Sequence, residues 1–176
     1  MLLHESFESH AARRPYAVAL TLADSLGERH LTYGELNARA NQFAHSLIEL
    51  GVASEVRVGL HLPPSVELIA AMLGIMKAGG AYVPLDPGLP GNRLAQMLEL
   101  AEPAVIITQR ATAAELPGQS VRYLFADNDA PGNKQETARC NDPRIPVTAD
   151  DLCYVMFTSG STGRQRDIFF LSLIHI

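Results

Sequence analysis

The chain has 176 residues, of which 47% are hydrophobic and 19% charged, and its formal net charge is −5. This length and balance suit a globular domain with a sizeable core and argue against a disordered chain. The negative charge, with no basic stripe interleaved with aromatic residues, argues against nucleic-acid binding. No apolar run approaches the roughly 20 residues of a membrane helix, and the first residues lack the pattern of a signal peptide.

The two cysteines, Cys140 and Cys153, do not have the paired spacing of metal ligands, and the six histidines are scattered along the chain. The sequence therefore predicts free thiols in a reducing compartment, the cytoplasm. It predicts no metal ion ligated by the protein.

The first part of the chain predicts a short helix, a strand and a long helix. Residues 5–13 have the character of a short helix, and residues 17–22 are apolar and β-prone. Thr32 is followed three residues later by Glu35, which is the spacing of a capping box at a helix start. Apolar residues then recur at helical spacing as far as Ile48, so this helix is predicted to be long.

The remainder alternates between strands and helices. Helices are predicted after Ser65 and after Pro90, and the first of them is apolar nearly all round, which predicts burial. Residues 127–146 are polar and rich in Asp, Asn, Gly and Pro, and are predicted to form a surface excursion. Short apolar segments predict strands at 56–62, 81–85, 104–108, 121–125 and 152–157. Such alternation with short connections indicates an α/β fold with a mostly parallel sheet flanked by helices.

The last predicted strand leads into a segment of small residues. Its members are Thr158, Ser159, Gly160, Ser161, Thr162 and Gly163. Glycines let the backbone approach a ligand closely, and successive N–H groups form an anion-binding nest. The segment is not a Walker P-loop, because that motif separates its glycines by four residues and continues with Lys. A flexible linker is the alternative, but the preceding strand favours phosphate binding, since ligands gather at the carboxyl ends of parallel strands.

Three segments together resemble a known family. Tyr154–Gly163 resembles the signature of the adenylate-forming superfamily, which includes acyl-CoA synthetases, luciferases and the adenylation domains of nonribosomal peptide synthetases. Leu31–Leu36 and Met76–Pro87 resemble the first and second core motifs of the peptide-synthetase branch. Their order and spacing agree over residues 2–164. The resemblance implies the N-terminal part of the large adenylate-forming domain, with the domain incomplete.

The resemblance also implies a chemistry. Residues 158–163 would grip the phosphates of ATP, bound with Mg²⁺, whereas no residue of this chain is assigned a catalytic role. In the family an amino-acid carboxylate attacks ATP and forms an aminoacyl-adenylate and pyrophosphate. The acyl group then passes to the phosphopantetheine thiol of a peptidyl carrier domain, and a condensation domain is expected in the full-length protein. Tyr82 and Asp86 are expected to be structural.

The family pattern stops shortly after this segment. Gln165–Asp167 stand where the family has Pro, Lys and Gly. Residues 1–164 are interpreted as a partial adenylation domain that is inactive alone, and residues 165–176 as a non-native read-through tail. A genuine apolar strand over 168–176 is the alternative. Two other interpretations of the chain stay open: a fragment of an acyl-CoA or aryl-acid ligase, and a non-catalytic nucleotide-binding module.

Overall fold

The computed structural model describes residues 2–24, 27–117, 121–127, 141–158 and 166–171. Within these residues the helices are α1 (Leu3–Arg13), α2 (Tyr33–Glu49), α3 (Val66–Lys77), α4 (Gly91–Ala101) and the short α5 (Arg110–Ala113). The strands are β1 (Val18–Asp24), β2 (Gly27–Thr32), β3 (Arg57–His61), β4 (Ala81–Pro84), β5 (Val105–Thr108), β6 (Arg122–Phe125), β7 (Leu152–Thr158) and β8 (Arg166–Leu171).

Six of these strands form one sheet in the order β6-β5-β3-β4-β7-β8. The five strands from β6 to β7 are parallel to one another, and β8 pairs antiparallel with β7. β1 and β2 form a separate antiparallel hairpin. The predicted α/β fold with a mostly parallel sheet flanked by helices is therefore confirmed.

The sheet is covered on both faces because successive strand residues point to opposite sides. Val105 and Ile107 of β5 belong to the core that contains α2 and α3, whereas Ile106 belongs to the core that contains α4. All three side chains are fully buried. β5 is thus apolar on both faces, as is usual for a strand inside a parallel sheet.

Side-chain caps begin the two long helices where the sequence predicts them. The Thr32 hydroxyl accepts the N–H of Glu35 at 3.2 Å, and the Glu35 carboxylate accepts the N–H of Thr32 at 2.9 Å, which completes the capping box. Ser65 Oγ accepts the N–H of Leu68 at 3.1 Å. Beyond the end of α2, Gly51 has a φ of +86°, a conformation that glycine adopts without strain.

Three elements differ from the sequence expectation or extend it. β2 was not predicted, because its first four residues are exposed and show no apolar alternation; it exists through its pairing with β1. α3 is only partly covered, since Leu68, Ile69 and Met72 are half-buried. β8, Arg166–Leu171, overlaps the first part of the alternative strand at 168–176, and residues 172–176 lie outside the described residues. The interpretation of residues 165–176 as non-native stays a prediction.

Residues 128–140 of the predicted excursion, with Cys140, also lie outside the described part of the chain. Cys153 is a buried free thiol. No helix among the described residues is long and apolar enough to cross a membrane.

Candidate functional site

The candidate site is the edge of the sheet at which the parallel strands end. β3, β4, β5 and β7 end there at His61, Pro84, Thr108 and Thr158. Ligands of open α/β sheets bind at this edge, because strand ends and the helix starts that follow them converge on it. Thr158 is the first residue of the predicted phosphate segment and the last residue of β7. Ser159, Gly160, Ser161, Thr162 and Gly163 lie outside the described residues, so their phosphate-binding role stays a prediction.

β7 is packed into the sheet by aromatic and sulfur contacts. The rings of Tyr82 and Tyr154 stack with centroids 5.3 Å apart, and Cys153 Sγ lies 3.4 Å from Met76 Sδ. Burial raises the pKa of the Tyr82 hydroxyl to about 12 and also raises the pKa of the Cys153 thiol. Both groups are therefore neutral at physiological pH. These contacts agree with the structural role expected for Tyr82.

The turn after β4 is closed by Asp86. Its Oδ1 accepts the backbone N–H of Gly88 at 2.8 Å, and its carbonyl accepts the N–H of Leu89 at 3.0 Å. This carboxylate thus shapes the connection between β4 and α4, in agreement with the structural role expected from the sequence.

This edge also holds a buried polar pair that the sequence pattern does not predict. His61 and Thr108 are register partners on β3 and β5, and His61 Nδ1 lies 3.1 Å from Thr108 Oγ1, which lies 3.2 Å from Thr112 Oγ1. Burial lowers the pKa of His61, although the carboxylates of Glu115 and Asp86 oppose this effect. The imidazole is therefore neutral near pH 7 and offers no positive charge to a phosphate. A polar residue at the end of an apolar strand is the signal that could have drawn attention to it.

An apolar groove of about 400 Å³ opens beside the carboxyl ends of β3, β4 and β7. Its lining includes Leu62, Leu68, Met72, Tyr82 and Met156. Met156 is 44% exposed, so this face of β7 is open to solvent here. The lining suits contact with apolar groups rather than with phosphates.

The opposite, amino-terminal edge of the sheet holds a buried ion-pair cluster centred on Lys77. Lys77 Nζ donates to Glu8 Oε1 at 2.6 Å and to Asp142 Oδ1 at 2.7 Å, and its side chain is 0% exposed. The amides of Asn37 and Asn41 donate to the same Asp142 oxygen at 2.9 and 3.0 Å. Burial alone would raise the pKa of Asp142, but the hydrogen bonds from Lys77, Asn37 and Asn41 hold it below its usual value. The predicted surface excursion therefore returns to the protein at a residue that is hydrogen-bonded by two helices, α2 and α3.

Comparisons with known proteins agree over nearly the whole chain. A protein-family model described as "AMP-binding enzyme" matches residues 7–166. Chondramide synthase cmdD of Chondromyces crocatus is 43% identical over 166 residues, which are 94% of this chain and 4% of that protein. A linear gramicidin synthase of Brevibacillus parabrevis is 40% identical over 168 residues, which are 96% of this chain and 2% of that protein. The chain thus spans only a small part of these relatives.

Solved structures share the fold. A crystal structure of the nonribosomal peptide synthetase FmoA3 with α-methyl-L-serine-AMP matches with a TM-score of 0.83 and 30% identity, and covers 98% of this chain and 18% of that chain. The N-terminal subdomain of Klebsiella oxytoca NpsA, in complex with 3-hydroxybenzoyl-AMSN, matches with a TM-score of 0.78 and 25% identity. That match covers 97% of this chain and 41% of that chain.

Proposed function

Because the chain belongs to the AMP-binding enzyme family, as part of a peptide-synthetase adenylation domain, we propose that it supplies the phosphate-binding end of a site that activates an amino acid. In the proposed reaction a carboxylate oxygen of the amino acid attacks the α-phosphorus of ATP. A bond forms between the carboxylate oxygen and the phosphorus, and the bond to the bridging oxygen of pyrophosphate breaks. The products are an aminoacyl-adenylate and pyrophosphate.

The observation that carries this proposal is the place where β7 ends. Thr158 closes a parallel strand at the carboxyl edge of the sheet, and the sequence continues from it as Ser, Gly, Ser, Thr and Gly. Backbone N–H groups and hydroxyls of such a segment are suited to hold the negative charge that develops as pyrophosphate leaves. We assign this role to residues 158–163.

Among the described residues, no cluster of side chains forms a ready-made binding site for Mg²⁺. Among those residues no group of three or more His, Cys, Asp or Glu side chains is arranged to hold a metal ion. No step of the proposal passes through a metal ion held by these residues alone. In this proposal Mg²⁺ arrives with the phosphates of ATP, which it commonly binds together with one or two carboxylates.

The choice of an amino acid as substrate is supported by the relatives. Those with 43% and 40% identity are named as chondramide and gramicidin synthases, whereas the match to the NpsA subdomain has 25% identity. The chain covers only 18% of the FmoA3 chain. We therefore place the later transfer of the acyl group, to the phosphopantetheine thiol of a carrier domain, outside this chain. For the same reason we expect the chain alone to catalyse no amino-acid-dependent ATP–pyrophosphate exchange.

Binding of ATP to the 176-residue chain tests the phosphate role. Gly160→Ala adds a Cβ inside the proposed segment and is expected to weaken ATP binding about tenfold, as measured by isothermal titration calorimetry with Mg²⁺ present. Gly91→Ala is the matched control, because a Cβ at Gly91 meets nothing within 4 Å and this residue begins α4. Failure of the unaltered chain to bind ATP, or equal affinity of the two variants, would count against the proposal.

A further inference from the structure

β7 shares fewer backbone register partners with its parallel neighbour than the other parallel strands of the sheet share with theirs. The pairs β3–β4, β3–β5 and β5–β6 each contain four register partners, whereas β4 and β7 share one, Tyr82 with Tyr154. β8 pairs with β7 along its length but lies beyond it at the edge of the sheet, so it does not hold β7 against β4. Contacts beyond this backbone pairing therefore also bear on the register of β7.

The apolar pattern of β7 excludes some alternative registers but not all of them. A slip of one residue would exchange the faces of buried Val155 and its neighbours, which is costly. A slip of two residues returns every side chain to its original face. Such a slip would move Thr158 along the strand direction by about 7 Å. The burial pattern of β7 therefore does not exclude a two-residue slip. Such a slip would move Thr158 by more than the length of a hydrogen bond to a phosphate.

Two side-chain contacts at the start of β7 discriminate between these registers. Glu55 Oε1 accepts the backbone N–H of Leu152 at 2.8 Å, and Ser54 Oγ donates to Asp151 Oδ1 at 2.7 Å. Val56, which follows Ser54 and Glu55, is hydrogen-bonded to the start of β4. Its carbonyl accepts the N–H of Ala81 at 2.9 Å. Residues 54–56 thus connect the first residues of both strands, and each contact is specific to one register.

The backbone of Glu55 supports this interpretation. Its φ is +65°, in the left-handed region that glycine adopts without strain and other residues adopt rarely. A glycine would relieve the strain but would provide no acceptor for the N–H of Leu152. Strain that is retained where a side chain makes a specific contact indicates that the contact has a role.

We infer that Ser54 and Glu55 are positioning residues, which set the register of β7 against β4 and thereby the place of Thr158 at the edge of the sheet. The effect on nucleotide binding rests on the function proposed above. The register itself does not, because it concerns only described residues of β4 and β7.

Substitution of Glu55 in the 176-residue chain tests the inference. Glu55→Ala removes the acceptor and is expected to speed amide hydrogen exchange at Leu152 roughly tenfold, about the effect of one lost hydrogen bond. It is also expected to weaken the nuclear Overhauser contact between the Tyr82 and Tyr154 rings and to raise the Kd for ATP about tenfold. Glu55→Gln keeps a carbonyl oxygen at the same place. In this variant the exchange rate of Leu152, the contact between the two rings and the Kd for ATP are expected to match those of the unaltered chain.

Glu102→Ala is the matched control. Glu102 is an exposed glutamate with a φ of +43°, and its carboxylate lies 3.9 Å from Arg57 of β3, so the same chemical change is made in the same kind of backbone. Equal changes in Glu55→Ala and Glu102→Ala, or unchanged Leu152 exchange in Glu55→Ala, would overturn the register role. Altered exchange without a change in the Kd for ATP would overturn the link to Thr158. If the unaltered chain binds no ATP, the proposed function fails, while the ring contact and Leu152 exchange still decide the register.

Discussion

Lys77 lies in an environment that is unusual for a lysine. Its side chain is completely buried, whereas the side chains of its partners Glu8 and Asp142 are 23% and 42% exposed. A buried ammonium is tolerated only when paired and hydrogen-bonded, and here two carboxylates satisfy it. Because the partners lie on α1 and on the segment that leads to β7, the pairing joins parts of the chain that are distant in sequence.

We predict that Lys77→Met destabilises the chain by about 3 kcal/mol, near the lower end for a broken buried ion pair. The lower end applies because Glu8 and Asp142 reach water once the lysine is absent. Urea unfolding of the single variants Lys77→Met and Asp142→Asn and of the double variant measures the coupling. We expect the double variant to be more stable than the sum of the single effects by about 1 kcal/mol or more. Strict additivity would show that the two side chains do not interact.

The contact between α2 and α3 depends on a residue without a side chain. A Cβ at Gly74 would lie 2.5 Å from the Cβ of Phe43 and 2.8 Å from the carbonyl oxygen of Ala40. The carbonyl belongs to the backbone of α2, which cannot move without shifting the helix. Close approach of the two helices, rather than a turn, is therefore the reason for this glycine.

Gly74→Ala is expected to destabilise the protein by about 2 kcal/mol through overpacking, although alanine is the better helix former by about 1 kcal/mol. The change in free energy of unfolding, from chemical denaturation, measures it. Gly91→Ala places the same substitution at the start of α4, where the new Cβ has open space, and is expected to leave stability unchanged or slightly higher. Equal effects at both positions would contradict the packing argument.

The elements that were predicted from sequence are those whose signals are local. α2 and α3 begin at the capping residues Thr32 and Ser65, and the buried positions of α4 include Leu94 and Leu98, which repeat at helical spacing. Turn and cap chemistry depends on residues three or four apart, so a sequence shows it directly. β2 carries no such signal, because its exposed residues form a strand only by pairing with β1.

The candidate site was predicted only in part, for a related reason. The sequence predicts a phosphate-binding segment that begins at Thr158, since the strand and the small residues are adjacent, and the structure places the end of β7 at this residue. It does not reveal that His61 meets Thr108 or that Glu55 accepts the N–H of Leu152, because these partners are 47 and 97 residues apart. Contacts at such separations are fixed by the order of strands in the sheet, which a single sequence leaves open.

At the scale of the whole molecule, we expect stability to fall in two steps as the pH is lowered. Burial lowers the pKa of His4 and His61 below the ordinary value of 6.5, so the unfolded chain binds more protons and stability decreases below that pH. Hydrogen bonds lower the pKa of Asp142 and Asp151 below the ordinary value of 3.8. Their contribution is present above pH 3.8 and is lost as the pH falls through the folded-state pKa values.

Urea unfolding between pH 7 and pH 3 measures both steps. His61→Met removes one buried titrating group and is expected to make the upper step shallower, while the contribution of His4 remains. His10→Gln replaces an exposed histidine and is the control for the loss of an imidazole at the surface. Stability that stays constant from pH 7 to pH 5 would show that the buried imidazoles do not titrate on unfolding.

The strand order has a consequence for how the protein is made. β3 and β4 are the first strands of the sheet to leave the ribosome, and they are neighbours at its centre. β5 and β6 then extend one side, and β7 and β8 extend the other. Among the described strands, every later one joins an edge that already exists, and none must insert between strands already paired. Folding during synthesis, which proceeds from the N-terminus, can therefore build this sheet outward from its middle.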